Sequence, residues 1–135
     1  MHMSQSLLLH SGVAVRPCEW GYGVFADELI LAGSIIEECH YLKMLDKHCR
    51  QPPLDDYVFQ IKWDESEARP EGDWSAIILG YGMIYNHSRE PNAAYYRSQE
   101  RNLYTYYALR DIQPGEQILI NYGENWWATR GQSSP

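Results

Sequence analysis

The chain has 135 residues with a formal net charge of −7, 18 acidic against 11 basic side chains, 44% apolar residues, 5 Trp and 11 Tyr. A length in this range makes one domain, and so much apolar and aromatic side chain offsets chain entropy, which argues against disorder. The acidic balance argues against direct nucleic-acid binding, which needs Lys and Arg to displace counterions from phosphates, and leaves room for a basic protein or peptide partner.

In chain order, residues 1–12 read as an N-terminal extension, 13–130 as one domain and 131–135 as a frayed tail. Short runs rich in β-branched and aromatic residues predict strands at 13–15, 35–39, 57–63, 93–97, 103–109 and 117–122. Mixed apolar spacing predicts helix over 41–50 and around 75–85, where Gly80 and Gly82 weaken the propensity. The polar stretch 98–102 should close a hairpin, and Pro114-Gly115 should turn the chain into the last strand, both implying antiparallel pairing. Between Asp55 and Asp73 stand seven carboxylates (Asp55, Asp56, Asp64, Glu65, Glu67, Glu71, Asp73) against Lys62 and Arg69. Such a stretch either faces water or steers a basic peptide. The aliphatic runs 7–9, 29–32 and 76–79 are too short for a signal-peptide core or a membrane span, so a soluble, intracellular protein without membrane association is expected. Three cysteines, Cys18, Cys39 and Cys49, fit a reducing compartment.

Several isolated motifs carry little by themselves. Gly21-Tyr22-Gly23-Val24-Phe25-Ala26 matches the dinucleotide-binding pattern G-x-G-x-x-A, but no strand–helix–strand alternation follows. Gly-Tyr-Gly reads better as backbone passing close to a ligand or another strand. Cys39-His40 and His48-Cys49 are adjacent pairs that converge poorly on one tetrahedral ion, so no metal is expected. Asn86-His87-Ser88 is a glycosylation sequon without a secretory context. Neither Cys18 nor Ser88 has the setting of a nucleophile.

The ordered combination is more informative. Gly21-Tyr22-Gly23, then Asn86-His87-Ser88 with Pro91-Asn92, then Gly115-Glu116 running through Ile118 and Ile120 to Asn121-Tyr122-Gly123, resembles the SET-domain protein lysine methyltransferases over about residues 13–130. The likeness is nearest to short viral and bacterial members without flanking zinc segments. It implies a mainly β fold of small curved sheets with few short helices, in which the Asn-His and Tyr segments cross in a knot-like way. It further implies S-adenosylmethionine along the backbone of Gly21, Tyr22 and Gly23, held also by Asn86 and His87, with the imidazole alternatively pinning the crossing segments. Tyr122 matches the family's catalytic tyrosine, while Tyr57 and Trp126 stand where aromatic residues line the lysine channel, and Trp127 beside Trp126 where they cover cofactor and substrate. Met83, Arg89 and Asn121 depart from the family's frequent Arg, Cys and Asp. Ile120 stands where a Phe or Tyr often influences how many methyl groups are added.

The implied substrate is a lysine in a basic, histone-like tail, the implied compartment cytoplasmic, or nuclear for action on chromatin, and a homodimer completing the channel is left open. At pH 7 only roughly a few free lysines in ten thousand are neutral, so the site must depress that pKa. Aromatic walls do so by desolvation and a neighbouring sulfonium by like charge, without a strong side-chain base. The alternative is a non-catalytic module of the same fold that binds a basic peptide.

Overall fold

The computed structural model describes residues 7–61 and 72–128. The predicted tail 131–135, the first part of the predicted extension and residues 62–71 of the acidic stretch lie outside them. Among the described residues the strands are β1 (Val13–Cys18), β2 (Gly21–Ala26), β3 (Ile35–Leu45), β4 (Phe59–Gln60), β5 (Trp74–Ile78), β6 (Asn86–His87), β7 (Ala93–Ser98), β8 (Leu103–Ala108) and β9 (Gln117–Ile120). One short helix, α1 (Glu124–Ala128), follows β9, and 3-10 turns occupy Asp46–His48 and Leu54–Asp56.

Two sheets form, with strand orders β1-β2-β9-β6 and β4-β5-β3-β8-β7. Val24, Ala26, Ile36, Ile78, Tyr106, Ile118 and Ile120 belong to one buried core fed by strands of both. The expected mainly β architecture of small sheets is therefore observed.

β3 shows how the sequence sets the packing. Glu37, Cys39 and Tyr41 point inward with a period of two, while His40 and Leu42 face water. An irregularity in its pairing with β8 between Ile35 and Glu37 lets two consecutive residues, Ile36 and Glu37, both be buried. The helix predicted over 41–50 is not there. Instead β3 runs on to Leu45, because its alternating residues pair with β5 from Tyr41↔Ile78 to Leu45↔Trp74. The helix predicted around 75–85 is likewise replaced by β5 and a run of turns. Gly80 adopts φ +66°, outside the right-handed helical region, which interrupts a regular helix there.

Of the predicted strand 57–63, only Phe59–Gln60 is strand among the described residues, since Tyr57 closes a 3-10 turn. The hairpin over 98–102 forms as expected, from Ser98↔Leu103 upward, with Asn102 at φ 60°. Pro114-Gly115 also turns the chain, with Gly115 at φ +90°. The strand that follows pairs antiparallel with β2, and parallel with β6. Strands β2 and β6 and helix α1 were not expected from composition. No described helix is long and apolar enough to cross a membrane.

Candidate active site

The Gly-Tyr-Gly segment is extended, not the start of a helix, which removes the dinucleotide reading. It opens β2 directly after the β1 turn, with Cys18↔Gly21 and Arg16↔Gly23 in register. Gly21 takes φ +102°, and a Cβ there would meet nothing within 4 Å. Gly23 is the opposite case. A Cβ at Gly23 would collide with Gln117 Oε1 and approach Asn86 Nδ2 to 3.1 Å, so any side chain there displaces the Gln117 carboxamide.

What crowds Gly23 also anchors it. Asn86 Nδ2 donates to the Tyr22 carbonyl at 3.0 Å and to Gln117 Oε1 at 2.7 Å, with Cys18 Sγ a longer contact at 3.5 Å. One carboxamide thus ties β1, β2, β6 and β9 together. β6 lies parallel to β9, as Asn86↔Leu119 and His87↔Ile120. Asn92, only 3% exposed, locks the same strand: its Nδ2 donates to the Gln117 carbonyl and its Oδ1 accepts the Leu119 N–H, both at 2.8 Å. The Pro91-Asn92 half of the motif therefore holds β9 in place.

Just beyond β9, the Tyr122 N–H donates to His87 Nδ1 at 3.0 Å. A ring nitrogen that accepts carries no proton, so the neutral imidazole has its proton on Nε2. His87 thus pins the segment that carries Tyr122. The Tyr122 hydroxyl donates to the Tyr85 carbonyl at 2.7 Å. Burial, and to a lesser degree Tyr95, push its pKa up to about 12. It is a neutral phenol at physiological pH, with its proton committed to a carbonyl and its lone pairs left to accept.

Rings surround it. Phe59 meets Tyr122 edge to face at 5.3 Å, Trp126 lies at 4.8 Å, His87 at 5.2 Å and Trp127 is stacked at 5.9 Å. Phe59 also packs against Tyr95 at 5.9 Å, whose pKa burial raises to about 12. From Tyr95 a stack continues through Tyr106 at 5.5 Å to Tyr85 at 4.4 Å. Trp126 Nε1 donates to the Val58 carbonyl at 3.2 Å, which ties α1 to the segment before β4. The Trp127 Nε1 is buried without an acceptor among the described residues.

Beneath this cluster sits a carboxyl group. Glu37 is 4% exposed, with Oε1 accepting the Tyr85 hydroxyl at 2.8 Å and Oε2 accepting the Tyr81 N–H at 2.9 Å. Burial pushes its pKa up, and these two donors with the Cys39 thiol pull it back down. The Cys39 thiol itself is driven up by burial and by Glu37, so it is inert as a nucleophile. No cluster of three metal-ligating side chains occurs among the described residues.

Of the residues singled out in the sequence, Gly23, Tyr22, Asn86, His87, Tyr122 and Trp126 form one continuous chain of contacts, with Gly21 at its edge. Tyr57 stands apart from the ring cluster: it is 49% exposed, and Phe59 two positions later provides the ring that meets Tyr122. Trp127, expected with Trp126 to supply aromatic cover, stacks on Tyr122, whereas Phe59, Tyr85, Tyr95 and Glu37 were not singled out beforehand. For Phe59 the predicted strand 57–63 offered a signal, since an aromatic two positions from Tyr57 would share its face on a strand, although Tyr57 itself closes the 3-10 turn and is not on β4.

Comparisons with known proteins bear on the fold and the family. The SET domain family profile matches residues 21–123. The chain is 30% identical over 125 residues, covering 89% of it and 79% of the relative, to a histone-lysine N-methyltransferase specific for H3 lysine-37 from Schizosaccharomyces pombe. A crystal structure of a Plasmodium falciparum protein described as a histone methyltransferase superposes with a TM-score of 0.63 at 30% identity, covering 88% of this chain and 99% of that one.

Proposed function

The chain belongs to the SET-domain family, and on that premise we propose that it transfers a methyl group from S-adenosylmethionine to the ε-amine of a lysine in a basic, histone-like tail. The observation that carries this reading is the unbroken contact chain from Gly23 through Asn86 and His87 to Tyr122. It joins a backbone strap suited to a bound cofactor to a half-buried phenol suited to an amine. Two further features fit an adenosyl group: the Trp127 Nε1 donor, without an acceptor among the described residues, and the uncovered rings of Trp20 and Tyr22, 60% and 63% exposed on either side of Gly21. When bound, S-adenosylmethionine supplies an electrophilic methyl on a positively charged sulfur.

The backbone of Gly21, Tyr22 and Gly23 would hold that group, with Asn86 and His87 beside it. His87 fixes Tyr122, and Tyr122 orients the lysine. Because the Tyr122 proton is directed to the Tyr85 carbonyl, its oxygen presents lone pairs to an amine N–H. With its pKa raised, Tyr122 serves as an acceptor that aligns the nucleophile and not as a strong base. Phe59, Tyr95 and Trp126 desolvate the amine, which favours its neutral, nucleophilic form, and their faces tolerate a methylated cation.

Incubation of the protein with methyl-labelled S-adenosylmethionine and a panel of basic proteins tests the proposal. Incorporation at lysine is expected, and Tyr122→Phe should cut turnover by about 10- to 100-fold, matching the loss of one hydrogen bond made in the transition state, with donor affinity retained. Unchanged turnover in Tyr122→Phe would remove its catalytic assignment, and peptide binding without any incorporation would favour the non-catalytic module.

A further inference from the structure

The Tyr122 hydroxyl is aimed by one carbonyl, that of Tyr85. This carbonyl ends a stretch, 79–85, that is built of turns, held locally by Gly82 N–H to Leu79 O at 3.2 Å and Ile84 N–H to Tyr81 O at 2.8 Å. With little ladder of its own, such a stretch takes its position from what lies against it. Glu37 reaches both of its ends, through the Tyr81 N–H and the Tyr85 hydroxyl. Tyr106 supports the middle, stacked on Tyr85 at 4.4 Å and donating to the Gly82 carbonyl at 3.2 Å. Gly80 passes so close that a side chain there would collide with Glu37 Oε2.

Resting on the methyl-transfer reading above, we propose that Glu37 is a positioning residue that sets the direction of the Tyr122 hydroxyl by clamping the 81–85 turn. A carboxylate suits the task because both of its oxygens accept, one for each donor. Glutamine offers one acceptor and one amide donor. With its oxygen kept on the Tyr81 N–H, its NH2 faces the Tyr85 hydroxyl, which must swing round to accept, and the Tyr85 ring and carbonyl follow.

The test compares wild type with Glu37→Gln, following steady-state kinetics and the ring Cζ resonance of Tyr122 in protein carrying 13C-labelled tyrosine, assigned by its loss in Tyr122→Phe. The expected result for Glu37→Gln is kcat lower by about tenfold or more, KM for donor and peptide within about twofold, and a displaced Tyr122 resonance. A merely structural role would leave that resonance and kcat where they were while lowering the melting temperature, and this would overturn the proposal. A fall in kcat with an unmoved resonance would overturn it too, as would a displaced resonance with unchanged kcat. If Glu37→Gln does not fold, Tyr85→Phe removes the same contact from the other side. A displaced Tyr122 resonance is expected there, and an unmoved one overturns the proposal. A wild-type protein that transfers no methyl group to any substrate refutes the function, while the resonance still decides the positioning role.

Discussion

Replacing Gly23 by Ala should show whether the cofactor strap and the Asn-His segment are one mechanical unit. The added methyl collides with Gln117 Oε1 and comes within 3.1 Å of Asn86 Nδ2. Gln117 Oε1 ends a flexible side chain, so the first response is for it to swing away, which removes its 2.7 Å bond with Asn86. That loss is worth about 1 kcal/mol, and if β2 has to shift as well, overpacking raises the cost to about 3 kcal/mol. Urea denaturation of Gly23→Ala, Gln117→Ala and the double variant separates these contributions. In the Gln117→Ala background the colliding Gln117 carboxamide is gone, so the penalty of the methyl should fall by at least about 0.5 kcal/mol relative to wild type. Calorimetry should also show weaker S-adenosylmethionine binding in Gly23→Ala, by about tenfold for each 1.4 kcal/mol of displaced strap. Equal penalties in both backgrounds, or unaltered donor affinity, would refute the reasoning.

The other predictions concern the core of the site. Asn92→Ala strips the Gln117 carbonyl and Leu119 N–H of their partner. It should cost about 2–6 kcal/mol, read as a lower denaturation midpoint, since each of the two buried groups left unsatisfied costs about 1–3 kcal/mol. Phe59→Ala should cost about 3–5 kcal/mol in the same assay and leave a cavity beside Tyr122. At high pH the sign runs against the fold. Tyr95 and Tyr122 keep their protons up to about pH 12, whereas in the unfolded chain they lose them near pH 10. Their contribution to stability is therefore present below pH 10 and lost as pH rises toward 12, at about 1.4 kcal/mol per group for each pH step of one between those two values. Tyr85 and Tyr106, driven well up by burial, act in the same direction. Tyrosinate absorbance should accordingly include a late phase that coincides with loss of ellipticity. Smooth ionisation of every tyrosine near pH 10 in a still-folded protein would contradict this.

Strands rich in β-branched and aromatic residues and turns with a demanding backbone were legible from the sequence, as in β7, β8 and the hairpin around Asn102. Two kinds of segment were not. β2 begins Gly-Tyr-Gly, a composition that weakens a strand, and forms because β1 and β9 flank it on both sides. The stretches 41–45 and 74–78 look indifferent between helix and strand alone, and choose strand because each supplies the other's ladder. Such long-range pairing leaves no local trace.

The same division explains which half of the site could be read in advance. Gly23, Asn86, His87 and Tyr122 belong to, or adjoin, the sheet β1-β2-β9-β6, where backbone crowding and carboxamide bridges admit few residue types. A motif survives where chemistry permits few substitutes. Phe59, Tyr95, Tyr106 and Glu37 come from the other sheet, β4-β5-β3-β8-β7. There each is an ordinary strand residue whose importance depends on register alone: a slip by one position would turn its side chain to the opposite face. The Tyr122 hydroxyl bridges the two, because its ring follows β9 while its acceptor, the Tyr85 carbonyl, lies on the turn held by Glu37 of β3. Any variant that loosens the docking of the two sheets should therefore disturb the aim of that hydroxyl before it disturbs the Gly-Tyr-Gly strap, lowering turnover before donor affinity.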